Sequence, residues 1–184
     1  MTELGRPGRG APRARLAEIL RVDHAGELAA VHIYRGQQAV FSAAAGKAGL
    51  GETFADLRRQ EAEHLAAFDA LLAERGVRPS LLTPVWRAAA FALGAGTALL
   101  GDKAAHACTD AVEEVIGEHY AGQIEELQDR EPALAAQLSA FREDELRHQD
   151  DAVLQGAREA RGYGPLAALI KAGCRAAIRA AEKI

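Results

Sequence analysis

Apolar residues recur at intervals of three and four positions over long stretches of this chain, which is the spacing of one face of an α-helix. Four such stretches lie at about residues 13–45, 52–75, 102–129 and 132–161. Glycine or proline follows each of them, so we expect helices with these approximate bounds. No segment alternates polar residues with β-branched apolar ones as a half-buried strand does. The pattern therefore predicts an all-α protein built on four long helices.

A separate apolar segment, at residues 80–101, joins the second predicted helix to the third. Its uninterrupted apolar run, residues 88–100, is 13 residues long, whereas a membrane-spanning helix needs about 20. Two interpretations stay open for this crossover. It either joins two helix hairpins and covers the end of the bundle, or lies in a membrane interface with Trp86 and Arg87 at headgroup level.

The last predicted helix runs from Pro165 to the C terminus. One face is apolar, and the other carries basic residues at four-residue intervals. A basic amphipathic helix fits a membrane surface, but a solvated basic face on a docked helix is equally common. The basic residues are Lys171, Arg175, Arg179 and Lys183.

Composition narrows the class of protein. A chain of 184 residues suffices for one domain with a buried core, which we place at residues 13–184. Residues 1–12 are rich in glycine, proline and arginine and are predicted to be a disordered tail.

The net charge of −4 gives no reason to expect a nucleic-acid partner. Cys108 and Cys174 form no disulfide or metal-binding pattern, so we expect reduced, buried thiols and a cytoplasmic location.

The candidate chemistry lies in a repeated spacing. Residues 61–64 and 145–148 each begin with a glutamate and end with a histidine, and side chains three residues apart share one helix face. A lone glutamate precedes the first segment by 34 residues and the second by 32. Such a set from four helices is typical of a two-metal centre inside a four-helix bundle. The predicted ligands are Glu27, Glu61, His64, Glu113, Glu145 and His148.

The donor types favour iron or manganese over copper(I) or structural zinc, because they are carboxylates and imidazoles without thiolate. A single glutamate three residues before a histidine is more often a solvated pair on a charged helix face. Here the motif occurs twice at matched offsets. Apolar residues such as Leu65 and Phe68 also follow the first motif, so part of that helix faces a core. Both observations favour a metal centre.

Several longer stretches of the sequence resemble those of a known protein family. They include Val22-Asp-His-Ala-Gly-Glu27, Gly94-Ala-Gly-Thr97 and Phe141-Arg-Glu-Asp-Glu-Leu-Arg-His148. In these strings the chain resembles the demethoxyubiquinone hydroxylase family, the di-iron monooxygenases of ubiquinone biosynthesis, over about residues 16–184. The resemblance implies a ferritin-like four-helix bundle made of two helix hairpins, with the apolar crossover and an extra C-terminal amphipathic helix.

The resemblance also implies an activity and a cofactor. The family hydroxylates the ring of a polyprenylated methoxy-methyl-benzoquinol with O₂, using two iron ions held by the six predicted ligands. Glu61 and Glu145 would bridge both ions, while Glu27 and Glu113 would bind one each. Glu114 is a rival for Glu113, but the offset of Glu113 from its motif, 32 residues, is the better match to the 34 residues found in the first half of the chain.

Further residues are assigned less directly. The resemblance places His119 and Tyr120 beside the quinone ring, although a solvated or ligand-supporting role is as good an interpretation of His119. Asp110 either orients a ligand imidazole or is a surface aspartate. The chain departs from the family at Gln149 and Glu118, where members often carry histidine.

The family further implies peripheral attachment to the cytoplasmic face of the inner cell membrane, with the crossover and terminal helices dipping into the bilayer. A lipid-binding helical partner protein and a homodimer are also expected. No dinucleotide-binding glycine fingerprint occurs, so a reductant must bind loosely or act through a partner. The alternatives are another ferritin-like di-metal oxidase or peroxidase, an iron-storage protein, and a lipid-binding helical module with solvated acidic residues.

Overall fold

The computed structural model describes residues 12–183, and within them the chain is helical, without strands. The helices are α1 (Pro12–Ala43), α2 (Ala48–Arg75), α3 (Thr83–Leu99), α4 (Asp102–Leu127), α5 (Pro132–Leu154) and α6 (Tyr163–Ala181). The all-α prediction is confirmed, and most of the predicted helix bounds agree within about four residues. The predicted tail lies, except for Pro12, outside the described residues.

One predicted boundary was wrong. We expected the helix that begins at Pro132 to continue to about Arg161, but α5 ends at Leu154. Gly156 then adopts a left-handed conformation with φ 87°, which glycine reaches without steric cost and which commonly ends helices. A short 3₁₀ helix, Ala157–Glu159, follows. The glycines expected to end the long helix stand instead at the start of α6.

Four helices form the bundle as two hairpins, since α1 packs on α2 and α4 packs on α5. α3 then runs back beside α1 in the same direction, because Trp86 packs against the cluster around Val22 and Gly94 approaches Ile33. The crossover therefore lies along the side of the bundle and does not cover its end. Among the described residues, no helix combines the length and apolarity needed to cross a bilayer.

α6 packs beside α4 in the way that α3 packs beside α1. Lys171 Nζ lies 2.6 Å from Glu114 Oε2, and Arg175 lies 3.0 Å from Glu118 Oε2 one turn later. The two helices therefore run in the same direction, and each hairpin is followed by a helix that returns along its first member. At these two positions the predicted basic face of the last helix is paired with α4.

Two apolar layers make up most of the core. One contains Phe41 and Phe54, and the other contains Leu20, Phe68 and Leu138. Along α1, α2 and α4, the predicted metal ligands fall between the residues that belong to these layers. The layers therefore separate the middle of the bundle from water on both sides.

Gly94 sets how closely α3 approaches α1. A Cβ atom added at Gly94 would overlap the carbonyl oxygen of Ile33, whereas one added at Gly96 on the same helix would meet nothing within 4 Å. We expect Gly94→Ala to lower the free energy of unfolding by about 2–3 kcal/mol, because the helices must separate. Gly96→Ala should leave it unchanged or raise it by up to about 1 kcal/mol. Denaturant titration of both variants measures the difference, and equal values would contradict the packing.

Candidate metal centre

Six ionisable side chains from four helices meet halfway along the bundle, and each is at most 4% exposed. They are the six predicted from the spacing: Glu27 of α1, Glu61 and His64 of α2, Glu113 of α4, and Glu145 and His148 of α5. The rival glutamate, Glu114, lies outside this set and pairs with Lys171. The structure thus brings all the predicted ligands together.

The six side chains form two overlapping groups of four, in each of which one donor atom per residue lies within 4.8 Å of the others. The first group is Glu27, Glu61, His64 and Glu145, and the second is Glu61, Glu113, Glu145 and His148. Each group offers three carboxylates and one imidazole. Glu61 and Glu145 belong to both groups, which is the placement that two bridging carboxylates would have.

Most donor atoms of the centre have no hydrogen-bond partner. Oε2 of Glu27 and of Glu113, and both carboxylate oxygens of Glu61 and Glu145, are buried without one, and so is Nδ1 of both histidines. His148 Nδ1 lies 2.9 Å from Glu61 Oε1, a contact that becomes an ion pair only when the imidazole is protonated. A buried polar group left unpaired costs about 1–3 kcal/mol, and a charged one costs more. A pair of cations would satisfy these atoms, and oxygen and imidazole donors suit iron or manganese. The residues present therefore fit a two-metal site.

Burial and mutual proximity shift the acid–base properties of the centre. Burial raises the pKa of Glu27 and Glu61, and raises that of Glu113 far above its ordinary value with help from neighbouring carboxylates. Burial alone would lower the pKa of His148, but the adjacent carboxylates raise it to about 9. The pKa of His64 is raised for the same reason. Without metal the centre retains protons, which a cation must displace.

The two histidines are oriented by the residues that precede the shared glutamates. Asp144 Oδ2 lies 3.1 Å from His64 Nε2, and Gln60 Oε1 lies 3.1 Å from His148 Nε2. An acceptor at Nε2 fixes the proton there and leaves the Nδ1 lone pair for a metal. The two histidines differ in one respect, since a carboxylate supports His64 and a neutral amide supports His148. Neither of these supporting residues was predicted from the sequence.

Two buried tyrosines connect the two helix hairpins at the centre. The Tyr34 hydroxyl donates to Glu113 Oε1, and the Tyr120 hydroxyl donates to Glu27 Oε1. Each tyrosine follows the glutamate of its own helix by seven residues and bonds to the glutamate of the other half. Tyr34 was not predicted as a site residue, although this repeated interval could have identified it. Tyr120, expected beside the substrate, also orients a predicted ligand.

The sequence matches the family model of the ubiquinone biosynthesis protein COQ7 over residues 14–181. The chain belongs to the COQ7 family. The resemblance noted from the sequence is therefore confirmed. The chain is 47% identical to a 3-demethoxyubiquinol 3-hydroxylase of Rhodospirillum rubrum, over 97% of the chain and 82% of that protein.

Eukaryotic COQ7 relatives are nearly as similar. A human protein named NADPH-dependent 3-demethoxyubiquinone 3-hydroxylase, mitochondrial, is 43% identical over 94% of this chain and 79% of its own length. A Saccharomyces cerevisiae protein named 5-demethoxyubiquinone hydroxylase, mitochondrial, is 42% identical over 95% of this chain and 80% of its own length. The similarity therefore extends along most of each protein.

An apolar cavity of about 440 Å³ adjoins the candidate metal centre. α1 and α4 form one side of it, and α3 and α6 contribute apolar side chains such as Leu93 and Ile170. Glu27 is part of the wall, which brings the cavity to the candidate ligands. The two residues expected beside a substrate ring, His119 and Tyr120, both line it.

Asp110 fits neither interpretation offered for it. It is fully buried, and its Oδ1 accepts a hydrogen bond of 3.0 Å from Gln149 Nε2, while the Tyr163 hydroxyl donates to Oδ2. Asp110 thus links α4 to α5 and α6 and does not orient a ligand imidazole. Cys108 is a buried free thiol, as predicted, and Cys174 is free but only partly buried.

Proposed function

We propose that this protein is a di-iron monooxygenase that hydroxylates the ring of a polyprenylated demethoxy-benzoquinol with O₂ in ubiquinone biosynthesis. The observation that carries the proposal is the convergence of four buried glutamates and two histidines beside an apolar cavity. The COQ7 relatives, named as demethoxyubiquinone or demethoxyubiquinol hydroxylases, supply the class of reaction. A ring C–H becomes C–OH, and the second oxygen atom leaves as water with two electrons and two protons from a reductant.

Two iron ions held by the six side chains would supply the electrons that reduce O₂. The protein's own contribution is to hold the ligand side chains in position. Asp144 and Gln60 hold the imidazoles, while Tyr34 and Tyr120 hold one oxygen each of the two outer glutamates. The apolar layers above and below keep water from the centre, which strengthens its electrostatic interactions.

The cavity supports a ring substrate with a long apolar tail. Its walls are almost entirely apolar, and Glu27 brings one wall to the centre. This favours the hydroxylase over an iron-storage protein or a peroxidase, because neither of those needs an apolar cavity beside its metals. An organic substrate of this shape needs one.

A peripheral position on the cytoplasmic face of the inner membrane follows as part of the proposal. Five apolar side chains on or beside α3 and α6 are between 54% and 78% exposed, and such residues suit a lipid interface. A tail could then enter the cavity from the bilayer. The homodimer and the lipid-binding partner protein stay predictions. The exposed residues are Leu81, Val85, Leu99, Leu100 and Leu169.

Cells that lack this protein should accumulate the demethoxy-quinone, because its hydroxylation would be blocked. The wild-type gene should restore the product, whereas Glu113→Ala should not. The matched control is Glu114→Ala, which removes the adjacent carboxylate that pairs with Lys171 and should restore the product. Mass spectrometry of extracted quinones measures all four strains. An unchanged quinone profile without the protein would reject the function, and restoration by Glu113→Ala would reject the metal site.

A further inference from the structure

The two donor groups of the candidate metal centre are built from the same parts. They share Glu61 and Glu145, and each adds one glutamate and one histidine. A buried tyrosine hydroxyl donates to each added glutamate, Glu27 or Glu113. Nδ1 of each histidine faces the shared carboxylates, at 3.3 Å or 3.4 Å from a Glu145 oxygen. The ligands alone therefore give no reason for one metal position to bind more tightly than the other.

The groups differ at the far side of each imidazole. His64 Nε2 lies 3.1 Å from Asp144 Oδ2, whereas His148 Nε2 lies 3.1 Å from the amide oxygen of Gln60. A hydrogen bond to an ionised acceptor is roughly twice as strong as one between neutral groups. The carboxylate therefore attracts the Nε2 proton more strongly than the amide does, which makes Nδ1 of His64 the more basic metal ligand.

Asp144 carries its negative charge at neutral pH. Its side chain is 28% exposed, and the oxygen that does not face His64 forms an ion pair with Arg147. A carboxyl group holds its proton near neutral pH only when it is deeply buried without such a partner. The side chain of Arg147 is 63% exposed, so water screens much of its charge. The contrast between Asp144 and the neutral Gln60 therefore persists.

A second carboxylate near the centre does not offset this difference. Asp110 precedes Glu113 by one turn of α4. Its Oδ1 accepts a hydrogen bond from Gln149 and lies 3.5 Å from Arg158, and its Oδ2 accepts one from the Tyr163 hydroxyl. The oxygens of Asp110 therefore bond to α5 and α6 and do not support a ligand imidazole.

We propose that Asp144 makes the two metal positions unequal, so that the first group binds its metal more tightly and fills first. Asp144 acts through His64 and is thus a positioning residue. The inference rests on the proposed function, which places two metals in this centre. Glu27 belongs to the first group and lines the apolar cavity, so the tightly held metal is the one beside the substrate. The second position then determines whether a chain carries the complete pair.

The test titrates metal-free protein with Mn²⁺ in the absence of oxygen, and electron paramagnetic resonance measures the unbound ion. A first cation weakens binding of a second even where two positions are alike, because the two repel each other, so each group is also tested alone. Glu113→Ala leaves only the first group complete, and Glu27→Ala leaves only the second. We expect the Glu113→Ala protein to bind Mn²⁺ about tenfold more tightly than the Glu27→Ala protein, or more.

Substitutions of the supporting residues in these two proteins assign the difference. Asp144→Asn removes the charge but keeps an oxygen for His64, and it should weaken Mn²⁺ binding about tenfold in the Glu113→Ala protein and little in the Glu27→Ala protein. Gln60→Glu should tighten binding about tenfold in the Glu27→Ala protein and at the weaker site of the wild type. Partial unfolding cannot produce such a gain.

The matched control is Glu143→Gln, which removes an exposed charge next to Asp144 on α5 and should change either affinity by less than about twofold. If the wild type binds no Mn²⁺, the metal centre fails and the proposed function fails with it. If the two single-group proteins bind equally, or if Asp144→Asn weakens both equally, the centre stands and the role of Asp144 is overturned. An unchanged affinity in Gln60→Glu would also overturn it.

Discussion

Replacing Glu145 by alanine should lower the kcat/KM of quinol hydroxylation by roughly a thousandfold or more, which corresponds to about 4 kcal/mol of transition-state stabilisation. Glu145 belongs to both donor groups, so its loss removes an oxygen donor from each proposed metal. Both of its carboxylate oxygens are buried without a hydrogen-bond partner, and they lie 3.3 Å and 3.4 Å from Nδ1 of His64 and His148, where a bound cation would be shared with the imidazoles. Metal analysis of the purified variant should show that bound iron is largely lost along with the activity.

The matched control is Glu143→Ala. Glu143 lies two residues earlier on α5, carries the same charge and is exposed, so its loss should leave metal content and activity near the wild-type values. Glu27→Ala, which affects only one of the two groups, should retain more metal than Glu145→Ala. A Glu145→Ala protein that keeps two metals per chain and full activity would refute the centre.

The positions of the predicted ligands followed from local geometry. A glutamate and a histidine three residues apart share a face of any α-helix, whatever that helix packs against. The second copy of the motif, with Glu27 and Glu113 at similar offsets, then indicated that four helices bring one face each to a common point. Helical periodicity and repetition were therefore enough to select the six residues.

Contacts between helices could not be predicted from the sequence in the same way. The Tyr34 bond to Glu113 and the Asp144 bond to His64 join residues about 80 positions apart, and they depend on how each helix is rotated against its neighbour. The course of α3 along α1 depends on the near absence of side-chain bulk at Gly94. Apolar composition alone fits both a helix on the side of the bundle and one over its end.

Removing the metals should lower the melting temperature by about 5–10 °C near neutral pH, and the difference should grow as pH rises from about 6 to 9. A cation present at a hundred times its dissociation constant stabilises the fold by about 2.7 kcal/mol. In a domain of this size each kcal/mol changes the melting temperature by about 2–4 °C. Calorimetry of metal-loaded and chelator-treated protein across this pH range measures the effect.

The sign of the pH dependence follows from the metal-free centre. The pKa values of Glu27, Glu61 and Glu113 are raised on folding, so the folded chain holds protons that the unfolded chain releases, and stability falls as pH rises above the ordinary carboxyl range. The raised pKa of His148 acts in the same direction. Its stabilisation is complete below about 6.5 and is lost as pH rises through about 9.

Metal binding has the opposite dependence, because the ligands must lose these protons before they can bind a cation. The metal-free protein therefore weakens with rising pH while the affinity for metal increases, and the two melting temperatures diverge. The Glu145→Ala variant provides the control, since it should show little metal-dependent change at any pH. A difference that is constant or narrows with pH in the wild type would mean that the protons displaced by the metals do not come from these buried side chains.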